Sequence, residues 1–307
     1  MRIVSAWIAR LFALPLAAGL LVAPAAAGPL RDMMRDRIAE RVQARIADAP
    51  PPDPATILPG STVATRAYGP AGAQRLDVYT PPGARAAPVL VMVHGGAWRV
   101  GDKARAEVVV NKLKHWLPKG FVFVSVNYRM LPEVMADTQA DDVAAALRWV
   151  QAHAAEFGGD PRRIVLMGHS AGAHLAALLS TEPARVGRPW AGTVVLDTAV
   201  LDVPAKMAGR HAGFYDEAFG SDPAYWRKTS PLDHWSPTAV PMLLVCSTER
   251  ADRPCDEARA FAARTAKGGR TTPVLPEPLS HGAINATLGA PGAYTAAVDA
   301  FIADRLR

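Results

Sequence analysis

Short apolar runs alternate along the chain with longer stretches in which apolar residues recur at helical spacing. The central runs are continuously apolar and β-branched, which is typical of strands buried on both faces. The alternation predicts an α/β fold with a mostly parallel central sheet and helices on both faces. The predicted strands are 74–80, 88–94, 121–127, 163–168, 193–197, 241–247 and 272–275. The predicted helices are 138–156, 171–181, 256–267 and 293–306.

One stretch, residues 203–237, interrupts this alternation. It is rich in aromatic residues, Pro and Gly and has no clear period. So many aromatic side chains would be costly to leave in water, and long irregular segments in compact domains are often functional. We therefore expect a small cap-like insertion over the top of the sheet rather than a plain surface loop. The aromatic residues are Phe214, Tyr215, Phe219, Tyr225, Trp226 and Trp235.

The first 27 residues have the pattern of a secretory signal peptide. Arg2 and Arg10 give a positive start, residues 11–23 are almost entirely apolar, and residues 25–27 are three alanines. The apolar run is short for a bilayer span, and no Cys at the cleavage site would accept a lipid. We expect cleavage after Ala27, export to a periplasm or out of the cell, and no stable membrane anchor on the mature chain.

Residues 28–56 are expected to lead into the main domain as a helix and a Pro-rich linker. In the predicted helix, 30–48, apolar residues recur every four positions, which favours packing against the body of the protein. The prolines at 50–52 and 54 cannot continue a helix. The main domain is therefore expected to span 57–307.

Charge and cysteine content narrow the possible functions. The formal net charge is +6, but no run of Lys and Arg alternates with aromatic residues, so we expect no nucleic-acid binding. Export would permit a disulfide between Cys246 and Cys255, although the sequence does not define the distance between their Cα atoms. Neither cysteine lies in a nucleophile motif. Two cysteines alone do not form a tetrahedral metal site, and we expect no metal.

The strongest local signal for chemistry is Gly168-His169-Ser170-Ala171-Gly172. It follows an apolar strand and precedes an apolar helix, which is the context of a nucleophile elbow. Small residues two positions either side of the serine allow the backbone to turn sharply and expose its Oγ. The N-terminus of the following helix favours a developing oxyanion. We predict Ser170 as the catalytic nucleophile.

A second signal, His94-Gly95-Gly96-Ala97-Trp98, lies at the end of the strand predicted at 88–94. Consecutive glycines let backbone N–H groups face a substrate carbonyl without side-chain obstruction. We predict an oxyanion hole formed by the N–H groups of Gly96, Ala97 and Ala171. His94 is expected to brace this loop, and Trp98 is expected to line an apolar substrate pocket together with the aromatic residues of 203–237.

The general base is expected late in the chain, after the last strand, where His281 lies. His169 and His174 flank the serine too closely along the chain to approach it correctly. The acid is expected on the loop after the 241–247 strand, and our prediction is Asp252, with Glu249 as the alternative. Asp256 is more suited to capping the next helix. Asp197 and Asp202 follow the preceding strand and would be out of position.

These motifs resemble those of the hormone-sensitive-lipase-like and feruloyl-esterase-like branch of the α/β-hydrolases. Val126-Asn127-Tyr128-Arg129 with Pro132-Glu133 is similar to that branch too, and the resemblance spans about residues 60–307. It implies the α/β-hydrolase fold and hydrolysis of a small-molecule carboxylic ester through an acyl-enzyme, without metal or organic cofactor. Two positions depart from the family pattern. Ala97 stands where many relatives have Gly, and the loop 247–252 lacks the usual Gly-x-x-Asp spacing.

Two alternative functions remain open from the sequence. The Gly-Gly-x-Trp loop also resembles that of the kynurenine formamidases, so a formamide or amide substrate is one alternative. A non-catalytic hydrolase-fold binding module is the other. The presence of Ser170, His281 and a nearby acid argues against it, because a site without activity has no physical need for all three.

Overall fold

The computed structural model describes residues 50–198 and 200–307. An eight-stranded sheet forms the centre of this part of the chain. The predicted signal segment 1–27 and helix 30–48 lie outside the described residues. The strands are β1 (Thr62–Ala67), β2 (Arg75–Thr80), β3 (Ala87–Val93), β4 (Val122–Val126), β5 (Gly159–His169), β6 (Gly192–Leu196), β7 (Met242–Ser247) and β8 (Val274–Glu277).

The strand order is β1-β2-β4-β3-β5-β6-β7-β8. β2 pairs antiparallel with β1 and with β4, and the strands from β4 to β8 run parallel to one another. Parallel strands need crossover connections, which are usually helical. The carboxyl ends of β3, β5, β6 and β7 therefore share one edge of the sheet, where ligands bind in open α/β sheets.

Helices provide most of the connections between the parallel strands. The longer ones are α1 (Ala106–Trp116), α2 (Ala136–His153), α3 (Ala171–Thr181), α8 (Pro254–Lys267) and α10 (Ala293–Arg305). The shorter ones are α4 (Val203–Ala208), α5 (Gly213–Phe219), α6 (Pro223–Lys228), α7 (Pro231–His234) and α9 (His281–Thr287). Single 3-10 turns lie at Pro54–Thr56, Ala154–Phe157 and Pro183–Arg185. None of the helices in the described part of the chain is long and apolar enough to cross a membrane.

Helix α3 is the most deeply buried helix beside the sheet. All of its residues are buried, including Gly172, Ala173 and Ala177. It contacts β5 and β6 as well as α2 and α7. Small residues allow this close approach on several sides, which explains why the segment is apolar around its whole circumference.

The seven predicted strands are present, with ends that differ from the prediction by a few residues. Outside the insertion 203–237, two helices and one strand were not predicted from the sequence: β1, α1 and α9. β1 is an edge strand without the apolar alternation used to recognise strands, and most of its residues are exposed or half-buried. α9 has only seven residues, too few for a recognisable helical period.

The stretch 203–237, which showed no clear period, folds mainly as the four short helices α4 to α7. Their starts carry local signals. The side chains of Asp202 and Asp222 accept hydrogen bonds from the N–H groups of Ala205 and Ala224, at 3.0 and 2.8 Å. Proline occupies the first turn of α4, α6 and α7, where its missing N–H costs nothing. Helices this short have no visible periodicity, so capping residues are the informative pattern here.

Cys246 and Cys255 form a disulfide, with their Cα atoms 5.1 Å apart. It joins the end of β7 to the first turn of α8 and closes the loop 247–254. Among residues 50–198 and 200–307, no three His, Cys, Asp or Glu side chains lie together as a potential metal site.

Candidate active site

Ser170 lies at the turn between the last residue of β5 and the first residue of α3. Its backbone has φ 55° and ψ −118°, a conformation that L-residues rarely adopt and that is held by the surrounding structure. Its N–H donates to the carbonyl of Leu196, and its carbonyl accepts from the N–H of His174, at 3.0 and 3.1 Å. The turn is thus bonded to the neighbouring strand and to its own helix, as a nucleophile elbow requires.

The glycines either side of Ser170 are required by close packing. A Cβ at Gly168 would lie 2.3 Å from the carbonyl oxygen of Gly172. A Cβ at Gly172 would lie 2.3 Å from the carbonyl oxygen of His94. The motif therefore brings β5, α3 and the end of β3 into backbone contact, and larger residues would separate them.

The predicted oxyanion residues line the same cavity as Ser170. Gly96, Ala97 and Ala171 are all in its wall. Ala171 is the first residue of an eleven-residue helix, so its N–H has no partner within the helix and lies at the positive end of the helix dipole. Ala97 has φ 51°, and the N–H groups of the two residues beyond Trp98 donate to the carbonyl of Gly96. These bonds fold the loop into a tight turn beside the serine.

His94 supports this loop from beneath. Its ring is buried and stacks on Tyr128 with a centroid distance of 4.6 Å. The Tyr128 hydroxyl donates to the carbonyl of His94 at 3.0 Å. Burial lowers the pKa of His94, so the ring is neutral. These contacts agree with the bracing role expected for His94.

Trp98 is largely buried, although it contributes to the cavity wall. Its indole N–H donates to Nδ1 of His174 at 3.3 Å, and Nε2 of His174 lies 2.8 Å from the carbonyl of Thr229. These partners assign the proton of His174 to Nε2. Burial lowers the pKa of His174 to about 4. This chain of bonds connects the glycine loop, α3 and the helical insertion.

His281 begins helix α9, and its hydrogen-bonded acid is Asp197. The side chain of Ser280 caps this helix by accepting from the N–H of Ala283 at 3.3 Å. Nδ1 of His281 lies 2.6 Å from Oδ2 of Asp197. Nδ1 therefore carries a proton shared with the carboxylate, and Nε2 is left to act on a hydroxyl.

The structure does not bring Asp252, the predicted acid, into contact with His281. Its carboxylate instead forms a two-bond pair with Arg250, at 2.9 and 2.6 Å, and is substantially exposed. Glu249 is exposed, and Asp256 pairs with Arg253 and Arg259 in the first turn of α8. Positional analogy placed the acid after β7, but in this chain Arg250 points from that loop, and the carboxylate bonded to His281 follows β6 directly. The available signal was an aspartate at the end of a fully buried strand, next to the strand that leads into Ser170.

Asp197 is completely buried and fully hydrogen-bonded. Its Oδ1 accepts from the N–H of Ser247 at 2.7 Å, and its Oδ2 accepts from His281 and from Nη1 of Arg250 at 2.9 Å. Burial alone would raise the pKa of Asp197. The hydrogen bonds from His281 and Ser247 and the charge of Arg250 outweigh it, so that the pKa lies below its ordinary value. The carboxylate is therefore ionised at neutral pH.

Two further buried groups, which the sequence reading did not select, hold helix α9 in place. Nε2 of His169 lies 3.0 Å from the carbonyl of His281, and the two rings are 4.6 Å apart. Nζ of Lys112 donates to the carbonyl and Oδ1 of Asn285, at 2.8 and 2.9 Å. Burial lowers the pKa of His169 to about 3 and that of Lys112 to about 7. Both groups position the helix that begins with His281.

The cavity above Ser170 has a volume of about 490 Å³, within the usual size of small-molecule sites. Phe214 and Tyr215 from the insertion form part of its wall, and Phe214 is 40% exposed. Trp98 and the aliphatic residues Val100, Val108 and Val200 also line it. Two of the six aromatic residues of the insertion thus share the cavity with the serine, and the other four are not in its wall. A larger groove of about 890 Å³ lies beside β1 and β2, and its lining includes none of Ser170, Asp197, His281 and the glycine loop.

Comparison with protein families gives a match to the BD-FAE family over residues 76–186. This range contains the glycine loop and Ser170 but ends before Asp197 and His281. The match therefore covers the nucleophile and oxyanion motifs and leaves the base and acid to the geometry described above.

Curated relatives include esterases of Mycobacterium tuberculosis. The esterase LipQ is 30% identical over 234 residues, which cover 67% of this chain and 53% of LipQ. The carboxylesterase NlhH is 35% identical over 173 residues, which cover 53% of each protein. This chain spans about half the length of these relatives.

Among solved structures, esterase 2 of Thermogutta terrifontis, phosphoramylated by tabun, superposes with a TM-score of 0.60 at 25% identity. The match covers 80% of this chain and 93% of that one. Together with the strand order, it confirms the α/β-hydrolase fold expected from the sequence.

Proposed function

We propose that this chain, which belongs to the α/β-hydrolase superfamily, hydrolyses carboxylic esters of small molecules. Ser170 is the nucleophile, His281 the general base and acid, and Asp197 the carboxylate that orients His281. One observation carries the proposal. A serine in a strained strand-to-helix turn shares a cavity with a histidine that is bonded at 2.6 Å to a buried carboxylate.

The first half-reaction forms an acyl-enzyme. The Asp197 carboxylate accepts a hydrogen bond from the Nδ1–H of His281 and stabilises the imidazolium that forms, so that Nε2 can take the proton of Ser170 as its Oγ attacks the ester carbonyl carbon. The carbonyl oxygen becomes an oxyanion, which the N–H groups of Gly96, Ala97 and Ala171 stabilise. His281 then returns the proton to the departing alkoxide, and the alcohol leaves.

The second half-reaction releases the acid. Water loses a proton to Nε2 of His281 and attacks the acyl carbon, and the same N–H groups stabilise the second oxyanion. Collapse of this intermediate breaks the bond to Ser170, and His281 reprotonates Oγ. The apolar walls contributed by Phe214, Tyr215 and Val200 favour an apolar acyl or alcohol group of limited size.

The test compares wild type with Ser170→Ala and with Ser236→Ala, which removes a half-buried serine of the 203–237 insertion that pairs with Thr238. The substrates are p-nitrophenyl acetate, butyrate and octanoate, methyl ferulate and N-formylkynurenine. We expect turnover of the shorter esters, a loss of at least about 10³-fold in kcat for Ser170→Ala, and no loss for Ser236→Ala. A fluorophosphonate probe should add one adduct mass to wild type and none to Ser170→Ala, as measured by intact mass.

Other outcomes would replace this proposal. Selective turnover of N-formylkynurenine would assign the same triad to formamide hydrolysis. Silence on every substrate, with no adduct on Ser170, would favour a binding module. Full activity in Ser170→Ala would show that the nucleophile lies elsewhere.

A further inference from the structure

We propose that Arg250 is a positioning residue of this site: its guanidinium fixes the carboxylate of Asp197 and places a permanent positive charge beside the imidazole of His281. The inference rests on the proposed function, because it concerns how the acid and base of that triad are held. Asp252, the acid that the sequence suggested, then acts on the Asp197–His281 pair indirectly, by orienting Arg250.

The guanidinium bridges two carboxylates. Nη1 donates to Oδ2 of Asp197 at 2.9 Å and to its carbonyl oxygen at 3.1 Å. Nε and Nη2 donate to the two carboxylate oxygens of Asp252, at 2.9 and 2.6 Å. Because the guanidinium is planar and rigid, the paired bonds to Asp252 define the direction in which Nη1 points. The carboxylate of Asp197 therefore receives a donor of fixed orientation.

Arg250 also contacts the base directly, with Nη1 3.0 Å from Nδ1 of His281. This contact is not a hydrogen bond, because Nδ1 already carries the proton shared with Asp197 and an N–H cannot donate to it. It is a cation next to a ring that becomes cationic during the reaction. A like charge at this distance opposes the positive charge that the ring acquires during the reaction.

The loop that carries Arg250 is anchored at both ends. Cys246 and Cys255 are disulfide-bonded on either side of it, and Oγ of Ser247 donates to the carbonyl of Leu279 at 2.6 Å. The side chain of Arg250 is itself only 19% exposed. The cation is therefore built into the site and is not a mobile surface charge.

Other titratable groups face the Asp197–His281 pair. His169 lies against His281 from the end of β5, and its pKa of about 3 keeps it neutral. Tyr215 from α5 and Tyr294 from α10 interact electrostatically with Asp197, and burial raises the pKa of both phenols. Lys112 from α1 interacts electrostatically with His169. Arg250 thus supplies the positive charge in direct contact with the pair.

The experiment measures kcat, KM and the pH profile of kcat/KM on p-nitrophenyl butyrate for four variants. Arg250→Met removes both the positive charge and the planar guanidinium. Arg250→Lys keeps the charge, and Asp252→Asn weakens the paired hydrogen bonds that orient Arg250. Arg253→Met is the matched control, because it removes a positive charge from the same loop at a side chain that is 78% exposed and pairs with Asp256. The Nδ1 proton of His281 is followed by NMR in each variant, which requires no turnover.

We expect Arg250→Met to lower kcat about 10- to 100-fold, which corresponds to the loss of a charge-assisted hydrogen bond, with a much smaller change in KM. The acid limb of its kcat/KM profile should move to higher pH by about one unit, because a positive charge beside the imidazole is gone. Arg250→Lys should keep the acid limb near its wild-type position but recover only part of kcat. Asp252→Asn should lower kcat a few-fold, and Arg253→Met should match wild type.

A merely structural role predicts a different pattern. Loss of kcat in Arg250→Met with an unmoved acid limb and an unmoved Nδ1 resonance would overturn the proposal, as would wild-type kinetics in that variant. If Arg250→Met fails to fold, Asp252→Asn and Arg250→Lys decide, and wild-type values in both would reject the proposal. Failure of the proposed function is distinguishable, since it appears as an inactive wild type while the NMR signal still reports whether Arg250 acts on His281.

Discussion

At the scale of single residues, backbone strain is concentrated at the candidate site. Six non-glycine residues of the described chain have positive φ, and four of them are Ala97, Trp98, Ser170 and Asp197. Each such conformation costs on the order of 1–3 kcal/mol and persists only where neighbouring bonds enforce it. At Ser170 and Asp197 these are bonds to β6 and β7. The sheet edge therefore pre-sets the direction of both side chains before any substrate enters.

The assignment of the acid leads to a prediction at this scale. Asp197→Asn should lower kcat by about 10⁴-fold, because an amide cannot hold the His281 tautomer that leaves Nε2 free. Asp252→Asn removes only a partner of Arg250 and should cost far less. Steady-state kinetics of both variants, each checked for folding by circular dichroism, make the comparison. Equal losses in the two variants would contradict the assignment.

Ser170, His281 and the glycine loop could be predicted from sequence because each lies in a short pattern with a local physical reason. Asp197 could not. Its contact with His281 joins residues 84 positions apart and depends on which strands are neighbours and on how loop 247–254 closes. Arg250 is hidden from the sequence for the same reason, since a single arginine in a loop carries no local signature.

At the scale of elements, buried strands were predictable and exposed or short elements were not. β4, β6 and β7 are buried along their whole length, so their sequences are predominantly apolar. Half of the residues of β1 are polar because it lies at the sheet edge, and the insertion helices are too short for periodicity. The signal segment at 1–27 and the helix at 30–48 remain predictions.

The disulfide between β7 and α8 has a measurable effect at this scale. Replacing both cysteines by alanine should lower the free energy of unfolding by about 2–3 kcal/mol, because the closed loop loses its restriction in the unfolded chain. Urea denaturation of the double variant and of wild type, in the absence of reductant, measures the difference. Adding reductant to wild type should give a similar loss and should leave the double variant unchanged. If reductant destabilised the double variant and left wild type unchanged, this account would be rejected.

At the scale of the whole molecule, buried neutral histidines join parts of the fold that are distant in sequence. His174 connects the glycine loop to the insertion through Trp98 and Thr229. His169 connects the end of β5 to helix α9. Protonation of His174 at Nδ1 would end the bond that this atom accepts from Trp98, and protonation of either ring would place a positive charge in a buried position. Acid therefore acts on the junctions between elements rather than on one site.

These histidines predict the acid sensitivity of the fold. Their pKa values of about 4 and about 3 lie below that of an exposed histidine, about 6.5. The unfolded chain therefore binds more protons as the pH falls below 6.5, and the stability present above that pH is lost as it approaches 4. Each histidine should cost up to about 2–3 kcal/mol between pH 6.5 and 4.5.

Urea denaturation at pH 7.0, 5.5 and 4.5 measures this slope. His174→Gln should be less stable than wild type at pH 7.0 but should lose less stability on acidification, because one of the buried histidines is gone. His153→Gln, at a histidine whose side chain is 37% exposed, serves as the control and should follow the wild-type slope. A slope in His174→Gln as steep as in wild type would count against the buried ring as its source.

The pairing of Cys246 with Cys255 uses both cysteines of the chain, and this has a practical consequence. A cysteine introduced by mutation becomes the one thiol available for chemical labelling, without removal of native cysteines. Phe214→Cys would place an environment-sensitive fluorophore at the half-open mouth of the cavity. Emission from that label would follow the insertion as esters enter and products leave, in the same enzyme molecule whose turnover is being recorded.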